Sequence, residues 1–250
     1  ISACLVGSEM CIETDFELTN ETIRYEGHTL HRICATQDLP EHRVKSGDLG
    51  GFVERLDNLS DIAWVGGEAM VYGDARVSGG AKVNGKAMVS GNALVTGTAH
   101  VYNSARVFGN ALVSGNSSVS GEAWVYGDAR VFGYAYVYIS ARVFDEAWVF
   151  GHAHVSGNAR VHGKTRVIDD AIVRGDAQVF GNSLVSERAM VNGNAQVTDR
   201  ALVSGNAIVT GCSRVCEYAR VIGNSRVSGN AILLMKLIGL IAGGKTQVAQ

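Results

Sequence analysis

The stretch AMVSGNALVTGTAHVYNSARVFGN, residues 87–110, contains four copies of one six-residue unit. The unit is A-x-V-x-G-x, and its period continues without slippage from Ala63 to Ala231. All 28 positions taken every sixth residue from Val65 to Val227 are valine. A period of six matches neither an α-helix nor a coiled coil. The chain is therefore a repeat protein, and one unit is enough to work out its architecture.

Each unit predicts a short strand followed by a turn. The alanine and the valine, two residues apart, point to the same side of an extended segment, so the inner face of every strand is small and β-branched. Two residues after the valine, 21 of 28 positions are glycine, which adopts positive φ without steric cost. A glycine inside a helix costs about 1 kcal/mol. The pattern thus predicts a turn in every unit and excludes a helix.

One unit cannot bury its own inner face, so successive units must coil and stack. Three units, or 18 residues, give the simplest closed coil. Read every 18 residues, the position after the valine gives a largely aromatic column: Tyr72, Ser90, Phe108, Tyr126, Phe144, His162 and Phe180. A neighbouring column interleaves arginine with tryptophan: Arg106, Trp124, Arg142, Arg160, Gln178, Gln196 and Arg214. We predict an all-β fold, a single-stranded parallel β-helix (β-solenoid) with about 18 residues per coil.

The segments that flank the repeat differ from it. Residues 16–36 alternate well enough for a hairpin around Glu26-Gly27. We predict that residues 13–62 form a small N-terminal β cap that covers the backbone edge of the first coil. We assign residues 63–231 to the hexapeptide-repeat β-helix and residues 232–250 to an irregular C-terminal cap or tail. Residues 1–12 are predicted to be a leader or cloning remnant.

Composition limits the functional classes. The 250 residues carry a formal net charge of −2, which provides no basic field for a nucleic-acid backbone. The most apolar run, residues 232–242, is shorter than the roughly 20 residues that a membrane-spanning helix needs. The five cysteines are odd in number and irregularly spaced, which favours reduced thiols. We predict a cytoplasmic protein that binds neither nucleic acid nor membrane.

The unit A-x-V-x-G-x resembles the hexapeptide repeat of left-handed parallel β-helix proteins, which include many acyltransferases and the γ-class carbonic anhydrases. Two segments, GHTLHRICATQDL (residues 27–39) and VKSGDLGGFVERLDNLSDIAWV (residues 44–65), look like the head of bacterial and prophage proteins of the YdcK type. The resemblance implies a left-handed coil and a bacterial cytoplasmic or phage-encoded protein. Proteins of this type are often described as transferases by analogy with the fold.

Candidate catalytic residues are few. A hexapeptide acyltransferase would use a histidine as general base on the acceptor while acyl-CoA lies along the coils. The candidates in the repeat are His100, His154 and His162, which all fall at outward positions. Such enzymes interrupt their repeats with loops, and this repeat has no insertion. We therefore favour a solvent-facing role for the histidines, and we predict no metal and no cofactor, with acyl-CoA needed only under the acyltransferase hypothesis.

The aromatic column is a candidate interaction ladder, formed by Tyr72, Phe108, Tyr126, Phe144 and Phe180. It could stabilise the coils, form a contact between subunits or present a ligand face. We predict a non-enzymatic structural or interaction scaffold that presents a rigid surface, either to a protein partner or to further copies in a trimer or filament. The alternative is an acyl-CoA-dependent acyltransferase with its site at a subunit interface.

Overall fold

The computed structural model of the protein describes residues 15–235. The predicted leader and residues 236–250 lie outside the described residues. Within them the fold is an all-β parallel solenoid, and each repeat strand pairs with the strand 18 residues further along, as Val71 does with Val89. The predicted fold class and coil length are confirmed.

Three sheets form the faces of the solenoid, because the Gly-x dipeptide turns the chain after each strand. Sheet 1 has 13 strands, which are β1 (Phe16–Tyr25), β2 (His28–Ala35), β3 (Leu49–Val53), β5 (Met70–Val71), β8 (Met88–Val89), β11 (Arg106–Val107), β14 (Trp124–Val125), β17 (Arg142–Val143), β20 (Arg160–Val161), β23 (Gln178–Val179), β26 (Gln196–Val197), β29 (Arg214–Glu217) and β32 (Ile232–Met235). Sheet 2 has 10 strands, which are β4 (Trp64–Val65), β7 (Lys82–Val83), β10 (His100–Val101), β13 (Ser118–Val119), β16 (Tyr136–Val137), β19 (His154–Val155), β22 (Ile172–Val173), β25 (Met190–Val191), β28 (Ile208–Val209) and β31 (Arg226–Val227). Sheet 3 has nine strands, which are β6 (Arg76–Val77), β9 (Leu94–Val95), β12 (Leu112–Val113), β15 (Arg130–Val131), β18 (Trp148–Val149), β21 (Arg166–Val167), β24 (Leu184–Val185), β27 (Leu202–Val203) and β30 (Arg220–Val221).

The core is one continuous column of alanines and valines. Every repeat valine from Val65 to Val215 is fully buried, and burial of one valine side chain contributes about 1.5–3 kcal/mol. Where a hydroxyl residue replaces a buried inner alanine, its hydroxyl forms a hydrogen bond. Ser117 Oγ donates to the carbonyl oxygen of Ser114 at 2.8 Å. The solenoid therefore stabilises itself coil by coil.

Every turn uses a left-handed residue. At all 28 positions two residues after the valine φ is positive, at 64–81° for the glycines and 57–65° for the other seven. Three aspartates in these turns, Asp145, Asp169 and Asp199, accept the backbone N–H of the matching turn in the next coil at 2.9–3.1 Å. Ile139, at φ 65° and 54% exposed, has no side-chain acceptor for such a bond. A β-branched residue is unusual in this conformation.

The head covers the first coil. Strands β1 and β2 form the antiparallel hairpin predicted around Glu26-Gly27, and β2 also pairs antiparallel with β3, which pairs parallel with β5. The hairpin therefore extends sheet 1. Two 3-10 turns lie in this region, η1 (Pro40–His42) and η2 (Leu56–Asn58). Within residues 15–235 no helix has the length and apolarity that crossing a bilayer requires.

The solenoid extends beyond the valine period at both ends. At the start, Phe52 pairs with Met70, and Asn58 donates through Nδ2 to the carbonyl oxygens of Gly73 (3.1 Å) and Ala75 (2.8 Å). At the other end, β32 pairs in parallel with β29 over four residues. Backbone pairing thus continues where the repeat sequence does not.

Candidate functional site

The aromatic ladder of sheet 1 consists of Phe108, Tyr126, Phe144, His162 and Phe180. Consecutive ring centroids are 4.8, 4.9, 4.6 and 5.1 Å apart, and the ring planes are within 2–7° of parallel. These rings come from consecutive coils, as the 18-residue column predicts. Each inner ring covers the faces of its two neighbours, so the ladder presents ring edges to solvent and leaves free faces only at its two ends.

Tyr72 shares this column but lies apart from the ladder. Ser90 separates it from Phe108, and Tyr72 is only 6% exposed because the N-terminal hairpin covers it. Its ring contacts those of Tyr25 and His28 at centroid distances of 5.7 and 5.1 Å. Its hydroxyl donates to the carboxylate of Glu26 at 3.1 Å. Tyr72 therefore joins the cap to the first coils.

Arginines lie over the faces of two tryptophans. On sheet 1, the guanidinium groups of Arg106 and Arg142 lie 5.3 and 4.8 Å from the ring centroid of Trp124, as the interleaved column predicts. Sheet 3 has a second sandwich, with distances of 5.2 and 5.4 Å, made of Arg130, Trp148 and Arg166. Within residues 15–235 none of these arginines forms an ion pair. Aligning the residues of sheet 3 every 18 positions would have predicted this second sandwich, but the sequence analysis aligned only the columns of sheet 1.

The predicted catalytic histidines do not converge. His100 and His154 lie in one column of sheet 2, three coils or about 14 Å apart. His162 lies on sheet 1, between two rings of the aromatic ladder, with Nδ1 3.6 Å from Asp145 Oδ2. Burial lowers the pKa of His162, and the charge of Asp145 opposes that shift. All three side chains point outward, as the hexapeptide pattern predicts.

One groove does contain two histidines. It lies between η1 and sheet 2, has a volume of about 500 Å³, and its lining includes His42, Lys82 and His100. His42 is 6% exposed and donates through Nε2 to the carbonyl oxygen of Ile62 at 2.7 Å. Burial, followed by the charge of Lys82, lowers the pKa of His100, and burial lowers that of His42. Neutral imidazole is the form that a general base requires. No sequence signal marks His42, because only the fold of the head brings it to sheet 2.

A concavity of about 860 Å³ lies at a corner of the solenoid, and no histidine lines it. Its lining consists of Lys164, Gly181, Asn182, Asp199, Arg200, Glu217 and Tyr218. Arg200 donates to the hydroxyl of Tyr218 at 3.3 Å and also lies over its ring. Among the described residues no group of three or more His, Cys, Asp or Glu side chains could hold a metal ion.

Residues 105–121 match the family model of the YdcK beta solenoid repeat. The segment is about one coil long, and it includes the first ring of the aromatic ladder. The match and the architecture fit a YdcK-type β-helix repeat protein. A search of curated proteins gave no match. The similarity to YdcK-type repeats concerns the solenoid itself and carries no activity with it.

Proposed function

We propose that this protein is a non-enzymatic scaffold that presents a rigid β-helical surface to a protein partner or to further copies of itself. The observation that carries the proposal is the unbroken register. Paired residues are 18 positions apart throughout, from Phe52 with Met70 to Arg214 with Ile232. No loop interrupts the coils between these positions. An enzyme needs converging groups in a concave site, whereas long regular faces suit recognition.

The arginines of the two tryptophan sandwiches support a role in recognition. Arg106 and Arg142 are two coils apart, or about 9.6 Å, and each is held against one face of Trp124. Arginine is enriched at protein interfaces, and its planar guanidinium binds carboxylates with two hydrogen bonds. Because these arginines form no ion pair in the described part of the chain, the partner surface that complements them is acidic.

Light scattering coupled to size exclusion tests the proposal, at several protein concentrations and with and without acetyl-CoA. We expect either a constant mass or a filament that grows with concentration, and a melting temperature that acetyl-CoA does not change. A ligand at 100 times its Kd adds about 2.7 kcal/mol to the free energy of unfolding, so binding would raise the melting temperature by several degrees. A closed trimer that acetyl-CoA stabilises would overturn the scaffold proposal.

The groove at His42, Lys82 and His100 favours a second candidate, an acyl-CoA-dependent acyltransferase whose site a neighbouring subunit completes. Under this proposal His100 is the general base and Lys82 attracts an anionic substrate. Acetyl-CoA should then raise the melting temperature, and acetyl transfer to an acceptor should fall at least 100-fold in His100→Gln. His154→Gln is the matched control, since it changes a histidine of the same sheet outside the groove.

A further inference from the structure

One rung of sheet 2 lacks the ring that its neighbours carry. The column consists of His100, Ser118, Tyr136 and His154, one residue from each of four consecutive coils. Tyr136 stacks on His154 with centroids 4.9 Å apart and planes 19° from parallel. Its other face therefore points toward Ser118, whose side chain is too short to cover it. Tyr136 is 42% exposed as a result.

A second tyrosine stands beside the first in the same arrangement. Tyr134, at the corner next to Tyr136, stacks on His152 with centroids 4.9 Å apart and planes 8° from parallel. Its free face lies over Asn116, one coil below, and it is 51% exposed. Two aromatic faces thus look onto residues 115–121 (GNSSVSG) of the coil below, where no outward side chain is larger than asparagine.

The gap is a groove, which we call the Ser118 groove. Its volume is about 460 Å³, and its lining includes Thr98, His100, Tyr102, Asn116, Ser118 and Tyr136. Because His100 and Tyr136 are two rungs apart, they are separated by about 9.6 Å, and a ring midway would lie about 4.8 Å from each. Tyr126 has this spacing between Phe108 and Phe144, at 4.8 and 4.9 Å. The groove thus has room for one aromatic ring that the chain does not supply.

Polar groups lie at the base of the groove. Asn116 Oδ1 accepts a hydrogen bond from Thr98 Oγ1, which orients the amide and leaves its nitrogen as a donor. The hydroxyl of Ser118 forms no hydrogen bond within residues 15–235 and can donate or accept. These two residues are about 6.6 Å apart along the chain, so a ring system that reaches both is wider than a single phenyl group. The base of the groove matches the polar edge of a fused heteroaromatic ring.

We propose that the Ser118 groove binds a fused heteroaromatic ring of the purine type, stacked between Tyr136 and His100 with its polar edge on Asn116 and Ser118. Only one rung is open, so the groove holds a single ring system. We therefore take the ligand to be a small purine nucleoside. Stacking selects a flat ring, and the amide and hydroxyl select a ring with donors and acceptors on its edge. This binding site is independent of the scaffold role, which would stand without it.

Adenosine titrated into the full chain tests the site, followed by calorimetry and by saturation-transfer NMR on the ligand. We expect binding that weakens about 5- to 150-fold in Tyr136→Ala, the range in which base stacking on aromatic side chains falls. Tyr136→Phe should retain it. Ser118→Tyr should abolish binding by filling the rung while the protein stays folded. Gln196→Tyr adds the same ring at the same strand position on sheet 1 and is the matched control.

Several results would overturn the proposal. One is adenosine binding that Ser118→Tyr leaves unchanged, and another is no adenosine binding to the parent chain at millimolar concentration. Binding of N-acetyltryptophanamide without adenosine would assign the groove to an aromatic side chain of a partner protein. Binding of cellobiose without adenosine would assign it to a sugar.

Discussion

Sheets 1 and 2 share one backbone geometry and differ in what their outward columns carry. On sheet 1 a ring occupies every rung from Phe108 to Phe180, and neighbouring rings are parallel within 7°. On sheet 2 the column of Tyr136 has no ring at Ser118. The filled ladder covers its own ring faces, whereas the open rung leaves one free.

This difference shows that the fold and the surface are specified by different residues. The buried alanines and valines set the rung spacing. The outward residue then decides whether a rung stabilises the protein or is open to a ligand. One substitution per rung should therefore convert either surface into the other, and the predictions below test that statement.

The largest expected effect comes from opening the filled ladder with Tyr126→Ser. The variant loses the stacked pairs with Phe108 and Phe144, each worth about 0.5–1.5 kcal/mol, so the free energy of unfolding in urea should fall by about 1–3 kcal/mol. The new gap should also bind adenosine. Tyr102→Ser is the control for stability, since Tyr102 has no ring partner among the described residues. Equal losses in the two variants would show that stacking contributes nothing.

Relief of strain in the coil that carries Tyr136 should give the next largest effect. Ile139→Asp replaces a β-branched residue at φ 65°, where left-handed conformations cost about 1–2 kcal/mol. The aspartate could also accept the N–H of Gly157, as Asp145 does for Gly163. We expect a gain of about 1–2 kcal/mol in urea unfolding, with adenosine affinity unchanged because Ile139 does not line the groove.

The control for Ile139→Asp is Ile168→Asp, which changes an outward isoleucine that is not in a left-handed turn. A similar gain there would attribute the effect to charge or polarity and not to the backbone. No gain in Ile139→Asp would mean that the surrounding coil accommodates the strain at no cost.

Filling the open rung should stabilise the protein by a smaller amount. Ser118→Tyr adds one ring against the free face of Tyr136, and one stacked pair contributes about 0.5–1.5 kcal/mol. The urea midpoint should rise more than in Gln196→Tyr, whose ring would neighbour Gln178 and Arg214 and would have no ring to stack on. A decrease in Ser118→Tyr alone would show that the rung is narrower than the ladder spacing implies.

The smallest effect concerns pH and the histidine of the filled ladder. Burial lowers the pKa of His162 in the folded protein, so the unfolded chain binds more protons. Stability from this residue is therefore present above the ordinary histidine pKa, near 6.5, and is lost as the pH falls through that value toward the lowered one. His162→Phe should reduce the loss of melting temperature between pH 7.5 and pH 5. Tyr126→Phe, which keeps a ring in the same ladder and removes no histidine, is the control and should leave that loss unchanged.

The sequence alone predicted the solenoid and its coil length, because the hydrophobic period of six admits few other structures. It also placed a left-handed turn in every unit from the glycines. It did not show the burial of Tyr72 or the contact of His42 with sheet 2, since both depend on how the non-repetitive head packs. Phe52 and Asn58 belong to a coil, but no valine period marks them.

The Ser118 groove could have been predicted from the sequence. When the column of Tyr136 is aligned every 18 residues, as the column of Phe108 was, the missing ring at Ser118 is visible. The position of a histidine in a groove, by contrast, could not have been predicted from the sequence. Their outward positions followed from the repeat, yet which of them lies in a groove depended on contacts between distant parts of the chain.

Because the register is unbroken, the face on which a residue lies depends on the number of residues that precede it in the repeat. Removal of one six-residue unit between Tyr126 and Phe144 would turn all later units by a third of a coil, and Phe150 from sheet 3 would then stand over Tyr126. Removal of 18 residues would shorten the rod and leave every later residue on its own face. Such a protein keeps its surface chemistry only when its length changes by whole coils. The outward columns of its three faces are therefore kept together or disrupted together.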